Sequence, residues 1–376
     1  VFASGEGESS GPHLALALSN LDLIAIGLAG AWPTVPQWLS EALAAQVRAD
    51  PHGLLSLCRE THQVGLLESA LRRTSSWDSL DPAVQRRILA HNLATDILAE
   101  AIRQAAAEVA ELCAGLGITP VLLKGLVTRE LYEHGWQREF HDLDFVVSER
   151  EAVLLYEALL RLGYTPGIYR PAAQAIVPRS PAPASPRKDG YELPRLARMS
   201  TVECDEELRA ILAHAEGTMI RTRGDSVEAG ISIEVHYALE AARRLAMSSA
   251  AIDLPGVPAA RTLAPTEQLT YLCYKAYTGL VVFRSRRSAK LVADALRVIE
   301  SFNADIDWGR IVPDAHERGV CAPVRHMLHH AVRTFGLTVE GAAGCPCTEG
   351  ETKTPFNLGD FLIAMKAGDA SFDLSV

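Results

Sequence analysis

Residues 121–147 read VLLKGLVTRELYEHGWQREFHDLDFVV, and the fold turns on this stretch. VLL forms a short apolar strand that runs into a Lys124-Gly125 turn. A helix-compatible run follows, then Arg138, then a second apolar strand carrying Asp142 and Asp144 on either side of Leu143. Residues two apart in a strand share a face. Asp142 and Asp144 therefore project together, about 6–7 Å apart, while Leu143 and Phe145 point the other way into a core. An apolar strand offers neither carboxylate a structural purpose, and two carboxylates so spaced can share a pair of divalent cations.

A third carboxylate lies further along. Residues 230–239, GISIEVHYAL, alternate cleanly. Ile231, Ile233 and Val235 take one face, and Ser232, Glu234 and His236 take the other. A strand that buries its aliphatic face and presents Glu234 beside His236 suits a place next to the aspartate strand. Three carboxylates on two neighbouring strands make a set of hard oxygen ligands for Mg²⁺.

Together these residues resemble a bacterial family of uncharacterised nucleotidyltransferases within the DNA-polymerase-β-like nucleotidyltransferase superfamily. The resemblance rests on the LKG at Lys124-Gly125, on Tyr132, on Arg138 followed by Asp142-Leu143-Asp144, on Gly163-Tyr164, and on the Glu234-Val235-His236 strand. It extends from His62-Gln63-Val64 to Ile306-Asp307-Trp308. It implies an α+β fold: a polymerase-β-like core with a mixed sheet, flanked by N-terminal and C-terminal helical regions. It also implies that Asp142 and Asp144 are the metal pair, with Glu234 the third ligand to two Mg²⁺ ions. Lys124, Gly125 and Arg138 would then lie along the phosphates of an NTP, with ATP the expected donor. The Gly-Ser pair usual at the phosphate loop of the superfamily is replaced here by Lys124-Gly125.

The activity expected is Mg²⁺-dependent transfer of an NMP group to a hydroxyl or similar acceptor on a small molecule, a protein or a peptide. The alternative is a degenerate nucleotidyltransferase-like module that senses nucleotide or binds a protein, and a weaker third reading is a phosphohydrolase using the same ions on water. Plainer roles accompany each basic residue. For Lys124 the plain alternative is an exposed lysine at a strand end, and for Arg138 a salt bridge to Glu139 or Glu133. His236 either orients Glu234, contacts the acceptor, or is a hydrogen-bonded structural histidine.

Composition narrows the partners. The chain has 376 residues, 48% hydrophobic and 22% charged, with a formal charge of −10 and a pI near 5.7. It is long enough for two cores, and its acidity argues against a nucleic-acid polymer as partner. Arg284, Arg286, Arg287 and Lys290 form one local basic cluster, read either as a solvated helix face or as a contact for a triphosphate. Seven cysteines without regular spacing point to reduced thiols and a cytoplasmic location. Cys345-Pro-Cys347 lacks the partner pair of a zinc site. The small, acidic residues 1–12 lack the basic start of an export signal, and Asp22 interrupts the only apolar run near them, so no membrane association is expected.

The chain divides into a flexible tail and first helix (1–34), a helical region (35–116), the nucleotidyltransferase core (117–245), a second helical region (246–340) and a peripheral tail (341–376). Leu93, Ile97, Ala101 and Ala105 carry the helical period of the first helical region. Pro120 opens the first strand. Ser148 caps a helix that Gly163 ends. The stretch 169–189, rich in Pro, Ala and Ser, predicts a mobile loop. Residues 203–217 predict a helix, and Pro265-Thr266-Glu267 starts another. His326, His329 and His330 have the spacing of a metal-binding helix face, although an amphipathic surface accounts for them as well.

Overall fold

A computed structural model describes residues 37–335, apart from 180–190, 239–250, 255 and 284. Its centre is a mixed nine-stranded sheet in the order β4 (Ala175–Pro178), β3 (Thr165–Arg170), β5 (Leu196–Val202), β7 (Ser226–His236), β2 (Asp142–Val146), β1 (Val121–Leu123), β9 (Arg261–Leu263), β8 (Ala251–Asp253), with β6 (Ile220–Arg223) paired to β7. Helices precede and follow the sheet, in agreement with the expected α+β architecture.

Among the described residues four α-helices come first: α1 (Gln37–Ala49), α2 (Pro51–Thr61), α3 (Val64–Arg73) and α4 (Pro82–Gly115). Each of α2 and α4 begins with an aspartate cap followed by proline. Asp50 accepts from the Gly53 amide and Asp81 from the Ala83 amide, which satisfies donors that the first turn leaves free. Leu54, Cys58, Leu67, Leu71 and Ile88 unite these helices in a small core of their own. The remainder of α4 packs on the sheet, burying Ala101 and Ala105 as the helical period required.

The sheet follows. Strand β1 (Val121–Leu123) leads through the one-turn helix α5 (Gly125–Arg129) to β2 (Asp142–Val146). Helix α6 (Glu149–Arg161) then opens with a capping box between Ser148 and Glu151, and the chain turns at Gly163 with φ +90°. Strands β3 (Thr165–Arg170) and β4 (Ala175–Pro178) form a hairpin, after which come β5 (Leu196–Val202), α7 (Glu206–Leu212), β6 (Ile220–Arg223) and β7 (Ser226–His236). The hairpin departs from the mobile loop expected over 169–189. Gln174 adopts a left-handed conformation (φ 48°) that closes the turn and lets Tyr169 pair with Ile176, so the start of the stretch is β-structure. Residues 180–190 lie outside the described residues. Strands β8 (Ala251–Asp253) and β9 (Arg261–Leu263) bring the chain back beside β1. Helices α8 (Pro265–Tyr277), α9 (Ala289–Phe302), α10 (Trp308–Glu317) and α11 (Cys321–Phe335) complete it.

The two faces of the sheet differ. Leu122, Leu143, Phe145, Ile231, Ile233 and Val235 face one way and form the main core with α4 and α6. Val121, Leu123, Val146 and Leu263 face the other way and pack on α8–α11. Because side chains alternate along a strand, Asp142, Asp144, Glu234 and His236 all belong to this second face. No described helix is long and apolar enough to cross a membrane.

Candidate active site

The site is set by register. Strands β2 and β7 run parallel with Asp144 opposite Glu234, Asp142 opposite Ser232 and Val146 opposite His236. The expected neighbouring strands are therefore neighbours, and the three carboxylates share one face. Asp144 and Glu234 are buried, whereas Asp142 at the strand's start is about one-third exposed.

Lys124 reaches the same face from the end of β1, whose Leu123 pairs with Asp144. Its backbone is strained (φ 50°, ψ −126°), a conformation rare for a residue with a Cβ. That turn sends the chain from β1 straight into α5. The Lys124 Nζ donates to Asp144 Oδ1 at 3.2 Å and lies 5.8 Å from the centre of the Tyr271 ring. Burial works against the ammonium, but Asp144, Tyr271 and Asp142 outweigh it and raise its pKa above the ordinary lysine value. Burial likewise opposes the Asp144 carboxylate, yet Lys124 and His236 hold it well below the usual range. Lys124 is thus a half-buried, charged partner of the carboxylates.

Gly125 serves a different need. A Cβ there would lie 2.6 Å from the Cβ and Cγ of Phe140, so the turn closes only on glycine. The helix it opens is a single turn, shorter than the sequence pattern suggested.

His236 bridges the carboxylates: its Nε2 lies 2.9 Å from Asp144 Oδ1 and 3.4 Å from Glu234 Oε2. Tyr191 stacks on its ring at 5.8 Å, and Glu192 Oε2 stands 3.7 Å from its Nδ1. Arg195, just before β5, lies outside the sequence motifs. Its guanidinium makes an ion pair with Glu234 and lies 3.6 Å from Asp142 Oδ2. Its only sequence signal is a lone arginine behind Pro194.

Arg138 takes a different place from the one expected. It is 2% exposed, and its guanidinium grips Asp294 of α9 through Nε–Oδ1 at 2.6 Å and Nη2–Oδ2 at 2.7 Å. Tyr132 adds its hydroxyl to the same carboxylate at 2.9 Å. Burial acts against its charge, but Asp294 prevails and raises its pKa. The guanidinium is committed to a carboxylate in the C-terminal helices, and neither Glu139 nor Glu133 is its ion partner. Of the basic cluster, Lys290 is not on a solvated face. Its Nζ donates to the Glu139 carbonyl at 3.2 Å, and burial with nearby Arg138 pushes its pKa down to about 8. Arg287 donates to the Glu60 carbonyl at 3.1 Å. Arg284, the Arg286 side chain, the His329 and His330 side chains and Cys345-Pro-Cys347 lie outside the described residues.

The donor set fits a hard divalent cation. Asp144, Glu234 and His236 offer ligand atoms all within 4.8 Å of one another, and Asp142 and Glu234 converge on one guanidinium.

A family model described as an uncharacterised nucleotidyltransferase matches residues 48–336, well over half of the chain. Neither the curated proteins nor the solved structures compared contain a significant match. With the paired strands, the Lys124-Gly125 turn and the carboxylate face all inside the matched span, the chain belongs to this uncharacterised nucleotidyltransferase family.

Proposed function

We propose that this protein moves an NMP group from an NTP, with ATP the expected donor, to a hydroxyl acceptor on a small molecule or a peptide. The observation that carries the reading is the register of Asp144 against Glu234, with Asp142 one step along the same face. Asp142, Asp144 and Glu234 would hold Mg²⁺, which when bound supplies charge neutralisation on the triphosphate and acidifies the acceptor hydroxyl.

The remaining work falls to side chains already in place. Lys124, held charged at 3.2 Å from Asp144, offers its ammonium to the phosphates as they meet the carboxylates. Arg195, 36% exposed, is the cation best able to swing from Glu234 and Asp142 to a phosphate oxygen. The acceptor oxygen bonds to the α-phosphorus, the α–β bridging P–O bond breaks, and pyrophosphate leaves. The hydroxyl proton passes to Glu234 or through His236, which touches both buried carboxylates. Arg138 supports the site from behind by fixing the segment before Asp142 to α9.

Calorimetry with the four common NTPs, with and without Mg²⁺, tests the donor site. One nucleotide bound only with Mg²⁺, and lost in the Asp142→Ala/Asp144→Ala double variant, supports it. Absence of binding in the wild type sinks it. Bound nucleotide that never yields pyrophosphate with any acceptor would favour a sensing module.

A further inference from the structure

A second cluster lies immediately before the carboxylate strand, and none of its members is needed for nucleotidyl transfer. Glu139 is buried and meets three imidazoles. His62 Nδ1 lies 3.1 Å and His141 Nε2 2.8 Å from its Oε1, while His91 Nε2 lies 3.1 Å from its Oε2. We propose that His62, Glu139 and His141 bind a divalent transition metal of the zinc class.

The geometry is that of a metal site with its second layer in place. The donor atoms of His62, Glu139 and His141 all fall within 4.8 Å of one another. Tetrahedral zinc with bonds of ~2.0–2.1 Å sets its ligand atoms about 3.3 Å apart, so separations of 2.8 and 3.1 Å need only a slight opening. The two rings meet edge to face with centroids 4.3 Å apart, which points both at the same carboxylate oxygen. His91 holds the other oxygen from the buried side, as a ligating carboxylate is held by an outer partner. Lys290 bonds the Glu139 backbone carbonyl, leaving its carboxylate to the histidines.

The ligands and their outer partner come from three separate elements. His62 is the left-handed C-cap of α2 (φ 59°), His91 stands on α4, and Glu139 and His141 lead into β2. His62 and His141 keep 17% and 23% of their side-chain surface, so the site is reached from solvent, as a site with an open fourth position must be. Two imidazoles and one carboxylate favour zinc, cobalt, nickel or iron over the Mg²⁺ suited to the carboxylate-rich face of Asp142, Asp144 and Glu234. A metal here would pin the N-terminal helices to the strand that bears Asp142.

The test uses the full chain stripped with chelator and titrated with Co²⁺, then with Zn²⁺ in competition. The expected result is one equivalent of Co²⁺ with visible ligand-field bands that Zn²⁺ abolishes. Those bands should vanish in His141→Gln and His62→Asn and persist in Glu234→Gln. Asparagine tolerates the left-handed backbone at 62, and His141 is partly exposed, so far-UV circular dichroism should report both variants as folded. His91→Gln should weaken affinity about 10–100-fold, as loss of an outer partner does. Absence of bands in the wild type, or bands unmoved by both histidine variants, would show a hydrogen-bonded network only and overturn the proposal. Bands lost in Glu234→Gln but kept in His141→Gln would move the metal to the carboxylate face and overturn it too.

Discussion

Asp144 on β2 and Glu234 on β7 stand opposite each other on parallel neighbouring strands, and His236 Nε2 touches both carboxylates, at 2.9 and 3.4 Å. Parallel pairing fixes this: sliding either strand by one residue would turn its polar side chains into the apolar core. The same register that buries Leu143 against Ile233 assembles the candidate active site.

Asp142 and Asp144 are two residues apart but differ in what holds them. Asp144 is 3% exposed and is the counter-charge of half-buried Lys124. Asp144→Asn should abolish transfer and also cost about 3–5 kcal/mol, because the ammonium loses its partner. Asp142 is 34% exposed, so Asp142→Asn should abolish transfer at a cost of at most ~1 kcal/mol. Urea denaturation of both variants beside a transfer assay separates them. Equal destabilisation would refute the assigned pairing.

The Arg138–Asp294 pair is the clasp between the approach to β2 and the C-terminal helices. Removing either partner leaves a buried charge alone, so Arg138→Ala and Asp294→Ala should each cost about 3–5 kcal/mol. The double variant should cost far less than their sum. Arg138→Lys should not restore stability, since an ammonium cannot reproduce the two-point grip. A full double-mutant cycle by denaturant melts reads the coupling, and additive costs would deny the clasp.

Gly125→Ala tests the turn. The new methyl would meet Phe140 at 2.6 Å, and overpacking of this kind typically costs about 1–3 kcal/mol. Because the strain falls next to Lys124, nucleotide affinity should fall with stability. An alanine variant as stable as wild type would show that Phe140 has room to move.

The cluster around Glu139 predicts an acid limb of stability. Burial pushes His62 down to about 4 from an ordinary 6.5, against the opposing hydrogen bond to Glu139. As pH falls below 6.5 the unfolded chain takes up a proton at His62 that the folded chain refuses, so the His62 contribution to stability declines until about pH 4 and then levels. The difference is worth about 3 kcal/mol at its full extent. Chelator-treated wild type should show this loss between pH 7 and 4, and His62→Asn should flatten it. Identical pH profiles would remove His62 from the account.

Much of the fold was legible in the chain because it depends on local periodicities. Alternation placed Leu143 and Phe145 in the core and Asp142 and Asp144 on the other face, and the 230–239 segment showed the same pattern. Ser148 marked a helix start, and Pro265 another. Where two local signals competed, the reading failed: the prolines near 169–189 suggested a loop, yet Ala175-Ile176-Val177 found a partner strand in β3.

The sequence by itself determined which residue types could do chemistry, and that Asp142 and Asp144 would share a face, because strand geometry links neighbours two apart. Tertiary structure decided everything that depends on distant segments meeting. Arg138 sits four residues before Asp142 but is held by Asp294, 156 positions away, because a guanidinium buried beside α9 needs a carboxylate there. Arg195 reached Glu234, and His62 reached Glu139 across 77 residues, through packing that no local pattern records. A charge buried by long-range packing takes the partner that packing supplies, and that choice is written only in the folded chain.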